Sequence, residues 1–249
     1  MTLKEYAKKR RFDVTPEPSG KSSKGKQDSS LIFVVQKHRA TQLHYDFRLQ
    51  WKGVLLSWAV PKGPSPDPSV KRLAMRVEDH PLDYANFEGV IPESEYGGGT
   101  VMVWDHGTWA PEAVSEDVDA ALEKGDFKFT LHGEKLKGSW VLVRTRGFGS
   151  SKPGKSWLLI KHRDQYASTD DLTIKEPRSA ISNKLLAEIA QEGGGDVAKA
   201  ATGDPAPKTS GKASQPSGKK AATNSASAKK TAAAKSGGAG SRRRARKAS

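Results

Sequence analysis

Between residues 33 and 49 the chain reads Phe33-Val-Val-Gln36-Lys-His38-Arg-Ala-Thr-Gln-Leu-His44-Tyr-Asp46-Phe-Arg48-Leu49. The second half alternates. Side chains of an extended strand point to opposite faces with period two. His44, Asp46 and Arg48 therefore share one face, and Tyr45, Phe47 and Leu49 share the other. The apolar face belongs in a core. The polar face is a row of imidazole, carboxylate and guanidinium, where a plain amphipathic strand presents Thr, Lys or Glu. Upstream, Gln36 and His38 share a face of a first strand, and the short connection Arg39–Gln42 turns the chain back. A hairpin then brings His38 beside His44 and Asp46.

Two imidazoles and one carboxylate suit a divalent transition metal such as Mn, Fe, Co, Ni or Zn. Arg48 has no lone pair to offer a metal. Its planar fork of donors matches a phosphate oxyanion beside one. A metal next to an arginine is a phosphoryl-transfer signature. A lone histidine is more often a satisfied core or surface group, but three polar groups aligned by strand period argue against that reading.

The next informative stretch is Lys71-Arg72-Leu-Ala-Met-Arg76-Val-Glu78-Asp79-His80-Pro81-Leu-Asp-Tyr84-Ala-Asn-Phe-Glu88-Gly89. His80 precedes Pro81 and is biased to an extended conformation. It is a candidate fourth ligand, general acid or phosphate contact. Tyr84 can donate to a phosphate oxygen, and Arg72 and Arg76 are spaced for a groove wall. Lys62, in the rigid turn Pro61-Lys62-Gly63-Pro64, is a candidate phosphate contact or a loop decoration. Gly97-Gly98-Gly99-Thr100 lacks the Gly-Lys-Ser/Thr ending of a phosphate loop and leads into a strand, so it reads as a bulged turn.

Residues 31–195 read as a mainly β body: a compact barrel or sandwich of short antiparallel strands with two or three short helices. Strands are expected at Leu31–His38, Leu43–Leu49, Val54–Val60, Leu73–Val77, Thr100–Trp104, Phe127–Leu131, Ser139–Arg144 and Trp157–Lys161. Ser115 caps a helix over Glu116–Lys124 that ends at Gly125, and a second helix spans Asn183–Gln191 and stops at Gly193. Residues 1–18 form a strip able to dock on the body, and 19–30 (SGKSSKGKQDSS) a polar linker.

Charge is distributed unevenly. The chain of 249 residues carries 42 Lys+Arg against 28 Asp+Glu, a formal +14, yet residues 196–249 alone hold 13 and 2. That segment has no aromatic, Leu, Ile or Met and ends in Arg242-Arg243-Arg244-Ala245-Arg246-Lys247. It is expected to be a disordered basic arm that holds nucleic acid through backbone phosphates without reading bases. Cys is absent, which excludes a disulfide scaffold, a thiol nucleophile and thiolate metal sites. No apolar run approaches the roughly 18 residues of a membrane span, and the start reads as no secretory signal. A cytoplasmic location, nucleoid-associated in a bacterium, with DNA as the anionic partner and no membrane, is the expectation.

VVQKHRATQLHYDFRL followed by VEDHPLDYANFEG resembles the 3′-phosphoesterase module of bacterial DNA ligase D and its stand-alone relatives. The resemblance runs from about Leu3 to Lys161 and takes in IPESEYGGGTVMVWDHGTW, LKGSWVLVR and SWLLIKH. It implies a compact β-barrel with a Mn-dependent site on its surface. The implied activity trims DNA 3′ ends at breaks, removing a terminal ribonucleoside to leave a 3′-phosphate and then that phosphate to leave a hydroxyl. It implies His38, His44 and Asp46 as metal ligands, and Arg48, His80 and Tyr84 as contacts to the scissile phosphate. Gln36, Lys62 and Arg72 match accessory positions, and Glu17 an N-terminal position that supports activity. Lys9-Arg10-Arg11-Phe12 departs from the pattern by placing Arg11 where the family commonly has an acid. At 249 residues the chain is expected to be the stand-alone form, with a Ku-type end-binding protein or a separate DNA ligase as possible docking partners. Two other classes compete: a non-haem Fe(II) oxygenase using His44, Asp46 and His80, and a non-catalytic DNA-binding protein acting through its basic ends.

Overall fold

In the computed structural model, which describes residues 2–20, 30–146 and 154–206, the chain from Leu31 to Trp51 forms the expected hairpin. A first helix, α1 (Leu3–Lys8), precedes it. Strands β1 (Leu31–Arg39) and β2 (Leu43–Trp51) pair antiparallel with His38 opposite His44 and Gln36 opposite Asp46. The next connection is tight. Lys52 and Gly53 both take positive φ, 47° and 79°, the two-residue turn whose twist suits a hairpin.

β3 (Val54–Val60), β4 (Lys71–Arg76), β5 (His80–Pro81), β6 (Gly89–Ile91), β7 (Gly99–Pro111), β8 (Asp126–Gly133), β9 (Lys137–Arg144) and β10 (Ser156–Lys161) follow. Eight of these strands close an antiparallel barrel in the order β1-β2-β3-β4-β10-β9-β8-β7, with β7 pairing back onto β1. β6 extends the edge of β7, and β5 adds to β3. A register shift in the β1–β7 pair falls between Val35 and Gln36. Bulges of this kind sharpen the local twist and re-aim side chains.

The barrel interior is apolar and aromatic: Phe33, Val35, Phe47, Leu49, Trp58, Phe129, Trp140 and Leu159 belong to one buried cluster. A second cluster lies on the outer face of the same strands. There Val34, Leu55 and Val103 meet Tyr6 of α1, Tyr84 and Ala85 of the short 3-10 turn Leu82–Asn86, and Phe87 just after it. Each fully buried large apolar side chain contributes about 1.5–3 kcal/mol. Both faces of the β1–β2 hairpin are thus covered, and the polar row sits in a floor rather than on an open surface.

Three helical expectations are corrected. α2 (Val118–Lys124) starts two residues later than read, with Asp117 rather than Ser115 as its cap. Ser115 lies in the preceding 3-10 turn, where its hydroxyl accepts from the Lys128 N–H at 3.0 Å. α3 (Leu172–Lys175) was not read from the sequence. α4 (Leu186–Glu192) also starts later than expected, and α5 (Val197–Ala201) follows it.

The body continues past Gly195, where composition placed its end. Asp196 caps α5, Ala200 packs into the interior cluster, and the Asp204 carboxylate accepts from the N–H groups of Leu186 and Ala187 at 3.1 and 3.0 Å. A segment poor in large apolar residues is anchored here by two aspartate caps. The expected linker core (21–29) and the basic arm beyond 206 lie outside the described residues.

Candidate metal and phosphate site

Ligand atoms of His38, His44 and Asp46 lie within 4.8 Å of one another. The Asp46 Oδ2 is 3.7 Å from His38 Nδ1 and 3.7 Å from His44 Nε2. Backbone carbonyls fix both rings. His38 Nε2 faces the Gly97 carbonyl at 2.9 Å, and His44 Nδ1 faces that of Gln42 at 3.0 Å. An N–H directed at each carbonyl leaves the opposite nitrogen's lone pair facing Asp46, the arrangement that orients metal-bound histidines. Two imidazole nitrogens and a carboxylate oxygen, backed in this way, fit a divalent transition metal. The bulged turn places Gly97 at φ 82°, and the carbonyl it presents there orients a ligand.

Burial alone would raise the Asp46 carboxyl, but Arg48 and His44 hold it well below the usual carboxylate range. Burial depresses the His38 imidazole. His44, also pushed down by burial, ends above its ordinary value through the Asp46 charge. Electrostatics therefore keep the carboxylate ionised and His38 neutral, as ligation requires.

Arg48 runs along the floor. Its Nη2 is 3.1 Å from Asp46 Oδ2, its Nε donates to Gln36 Oε1 at 2.8 Å, and its Nη1 donates to the Ser57 hydroxyl at 2.8 Å. Gln36 in turn donates to the carbonyls of Tyr84 and Phe87 at 3.0 and 2.9 Å. Gln36 is therefore a buried bracket for Arg48. His80 Nδ1 lies 2.9 Å from both the Glu78 carbonyl and Arg48 Nη1. Its Nε2 is 3.3 Å from Arg10 Nη2. Burial, Arg48 and Arg10 hold the imidazole well below its ordinary pKa, so the ring is neutral. A neutral ring carries one N–H. Its other nitrogen is the acceptor, for Arg10 at Nε2 or for Arg48 at Nδ1 according to the tautomer.

Arg10 comes from the N-terminal strip. Its Nε donates to Glu17 Oε1 at 2.7 Å, and its Nη1 is 3.5 Å from Glu78 Oε1. Glu17 also accepts the Tyr84 hydroxyl at 3.0 Å and that of Thr15 at 2.9 Å. Burial and the Glu17 charge push the Tyr84 phenol well up, so it keeps its proton. The cavity above these groups measures about 260 Å³ and is lined by Arg10, His38, His44, Asp46, Arg48, Glu78, His80 and Tyr84 among others.

Residues 36–144 match the family described as the DNA Ligase D 3′-phosphoesterase domain. Those residues belong to that family. A similar protein is the multifunctional non-homologous end joining protein LigD of Pseudomonas aeruginosa, 51% identical over 187 residues, or 74% of this chain and 22% of the relative. The multifunctional non-homologous end joining DNA repair protein LigD of Mycobacterium tuberculosis is 44% identical over 145 residues, covering 58% of this chain and 18% of its own. The LigD of Mycolicibacterium smegmatis is 40% identical over 166 residues, covering 66% and 21%. The chain spans about a fifth of the length of the curated relatives it matches.

The structure brings together His38, His44, Asp46, Arg48, His80, Tyr84 and Gln36 of the matched segment with Glu17 of the N-terminal strip. It does not bring Lys62 and Arg72 to them. Lys62 is exposed and borders a separate cavity with Tyr45, Thr173 and Asp204. Arg72 stands opposite Leu159, on the face that carries Ala74 into the barrel, and its buried Nε has no partner. Strand parity turns it away from the outer floor. Tyr84 is beside the site, but its hydroxyl proton is already given to Glu17 and its ring is a wall edge-on to His80, with centroids 4.8 Å apart. His80 stands outside the group formed by His38, His44 and Asp46, so the set His44, Asp46 and His80 is not the one brought together among the described residues. Among the described residues the metal-ligating group takes His38 instead.

Sequence reasoning missed Arg10 and Glu78. Arg10 is 70 residues from His80 and belongs to no local periodicity. Glu78 stands two residues before His80, and its only sequence signal was that proximity. Arg11, at the usually acidic position, turns outward and pairs with Glu95. Among the described residues no helix is long and apolar enough to cross a membrane.

Proposed function

We propose that the chain is a metal-dependent phosphoesterase of DNA 3′ ends at breaks, removing a terminal ribonucleoside and then the 3′-phosphate it leaves. One observation carries this reading. A carboxylate grouped with two carbonyl-oriented imidazoles sits 3.1 Å from a buried guanidinium that is aimed along the same cavity floor. A divalent ion such as Mn²⁺ held by His38, His44 and Asp46 would supply Lewis-acid polarisation of a phosphoryl oxygen.

Arg48 and Arg10 supply the fixed cationic donors. Both are locked by carboxylate or amide acceptors before substrate arrives, so no reorganisation is needed as phosphoryl charge develops. Gln36 and Glu17 position them and touch no substrate. His80, neutral between two guanidinium groups, keeps the clamp's charge on the arginines. A phosphodiester and a phosphomonoester both present a nonbridging oxygen to this clamp, so one site serves both steps. The names of the relatives place them in non-homologous end joining, and a role in break repair follows for this chain on the same reading.

The test is a time course with Mn²⁺ on a primer–template ending in one ribonucleotide. The expected record is a 3′-phosphate intermediate that rises and then gives way to a 3′-hydroxyl end. A primer unchanged with Mn²⁺ present, or equally processed in chelator, contradicts the reading.

A further inference from the structure

We propose that Tyr96 forms the wall of a nucleobase subsite that holds the terminal base of the DNA end while its phosphate lies in the clamp. The inference rests on the phosphoesterase reading above. Tyr96 is 52% exposed, and of the exposed large apolar side chains among the described residues it is the one that lines this cavity. An exposed aromatic on a loop is ordinarily free to swing. This one is held. Lys9 Nζ donates to its hydroxyl at 3.1 Å and stands 4.5 Å from the ring centroid, while the Arg10 guanidinium lies 5.7 Å away. Lys9 is fixed by Glu78 Oε2 at 3.0 Å.

The loop beneath the ring is equally constrained. Glu95 N–H donates to the Pro92 carbonyl at 2.9 Å and Gly98 N–H to the Glu95 carbonyl at 3.0 Å. A side chain at Gly98 would press on the Pro92 and Glu93 backbone at 2.7 Å. Arg11 ties Glu95 to the N-terminal strip. The ring thus loses little conformational entropy on meeting a planar ligand.

Its place relative to the clamp sets the ligand class. Arg10 touches His80 on one side and faces the Tyr96 ring on the other. A phosphate held by Arg48 and Arg10 therefore has an aromatic surface beside it, at the rim, where a sugar would carry the base outward. Stacking accepts any base, because every base has a π-face, and cations next to the platform favour the strand's phosphates. The subsite recognises a base without reading which one.

The test uses the full chain and fluorescent oligonucleotides bearing a 3′-phosphate, with either a normal or an abasic terminal nucleotide. Binding is followed by anisotropy in chelator, so that no turnover intervenes. The wild type should bind the base-bearing end more tightly, by on the order of 10-fold. Tyr96→Phe should keep that preference, and Tyr96→Leu, which retains bulk without a π-face, should erase most of it. No preference in the wild type, or an undiminished one in Tyr96→Leu, overturns the proposal. Phosphate release with Mn²⁺ is measured in parallel on the wild type. Release without base preference sinks the subsite alone, whereas base preference without release sinks the phosphoesterase reading and leaves the subsite standing.

Discussion

The two faces of the β1–β2 hairpin are equally buried and built on opposite rules. Inward, Phe33, Val35, Phe47 and Leu49 meet other apolar groups and need only volume. Outward, Gln36, Asp46 and Arg48 are just as hidden, and each is held by named partners. A buried polar group without partners costs free energy, so the outer face forces a network. That network extends to Ser57, Glu17 and Arg10. Strand parity assigns each residue to a volume-limited or a partner-limited environment. Neighbours in sequence should therefore fail in different ways.

The sharpest contrast is between His44 and Phe47. His44→Ala removes a ligand from the cavity edge, and Mn²⁺-dependent phosphate release should fall by on the order of 100-fold or more, with the thermal midpoint close to wild type. Phe47→Ala empties part of the interior and should cost about 3–5 kcal/mol of stability. Calorimetry and phosphate release on both variants check the pair. A Phe47→Ala protein with a wild-type thermal midpoint, or an unfolded His44→Ala one, breaks the division.

Adjacent cations in the N-terminal strip make the second comparison. Arg10 lies in the network with its side chain 5% exposed, and Arg11 lies outside it at 64%. Arg10→Ala should slow phosphate release by on the order of 100-fold. Arg11→Ala should leave the rate of phosphate release nearly unchanged, because its guanidinium stands mostly in water and faces no group of the clamp. Equal losses would mean that net charge, not placement, is what the strip provides.

Lys37 is the inner face's exception. It shares parity with Phe33 and Val35, is 1% exposed, and lies 3.9 Å from Asp204. Burial lowers its amine to about 8, against an ordinary value of 10.5. The unfolded chain therefore binds more protons between those values, so stability rises as pH rises through the window and is lost as pH falls back through 8. Lys37→Met should flatten this slope. The difference between variant and wild type across the window should be on the order of 1–3 kcal/mol, read from denaturant midpoints at each pH. A parallel pH profile for the two proteins would mean the amine is not buried in solution.

The smallest effects concern the C-terminal boundary. Truncation after 195 removes the Asp204 cap of α4 and the Ala200 contact, and should lose about 1–2 kcal/mol or more. Truncation after 206 should leave stability unchanged. It removes 12 Lys/Arg and no Asp/Glu, and so should flatten the salt dependence of duplex binding. Identical salt slopes would assign the charge another partner.

The grouping of His38, His44, Asp46 and Arg48 was legible because period two and a short connection suffice to bring them together. The closed barrel was legible as a class from the strand spacing. The reach of β7 was not: the strand expected at Thr100–Trp104 runs on through Gly107 to Pro111. Gly107 is required, because a side chain there would strike the His132 carbonyl. Arg72 was misplaced because a motif records neighbours in sequence, whereas its direction depends on parity within β4. Arg10 reaches His80 only once α1 docks Tyr6 into the outer cluster, a contact between distant segments with no local pattern. Asp204 was passed over because a capping aspartate in an Ala- and Gly-rich segment looks like any other polar residue.

The most direct measurement is a titration of the metal-free chain with Mn²⁺ by calorimetry, for the wild type and for Asp46→Asn at equal pH, with circular dichroism on both. Binding of one ion per chain is expected in the wild type and its loss in Asp46→Asn with the barrel signal intact. Undiminished Mn²⁺ binding by a folded Asp46→Asn protein would contradict the assignment of the outer floor as the metal and phosphate site.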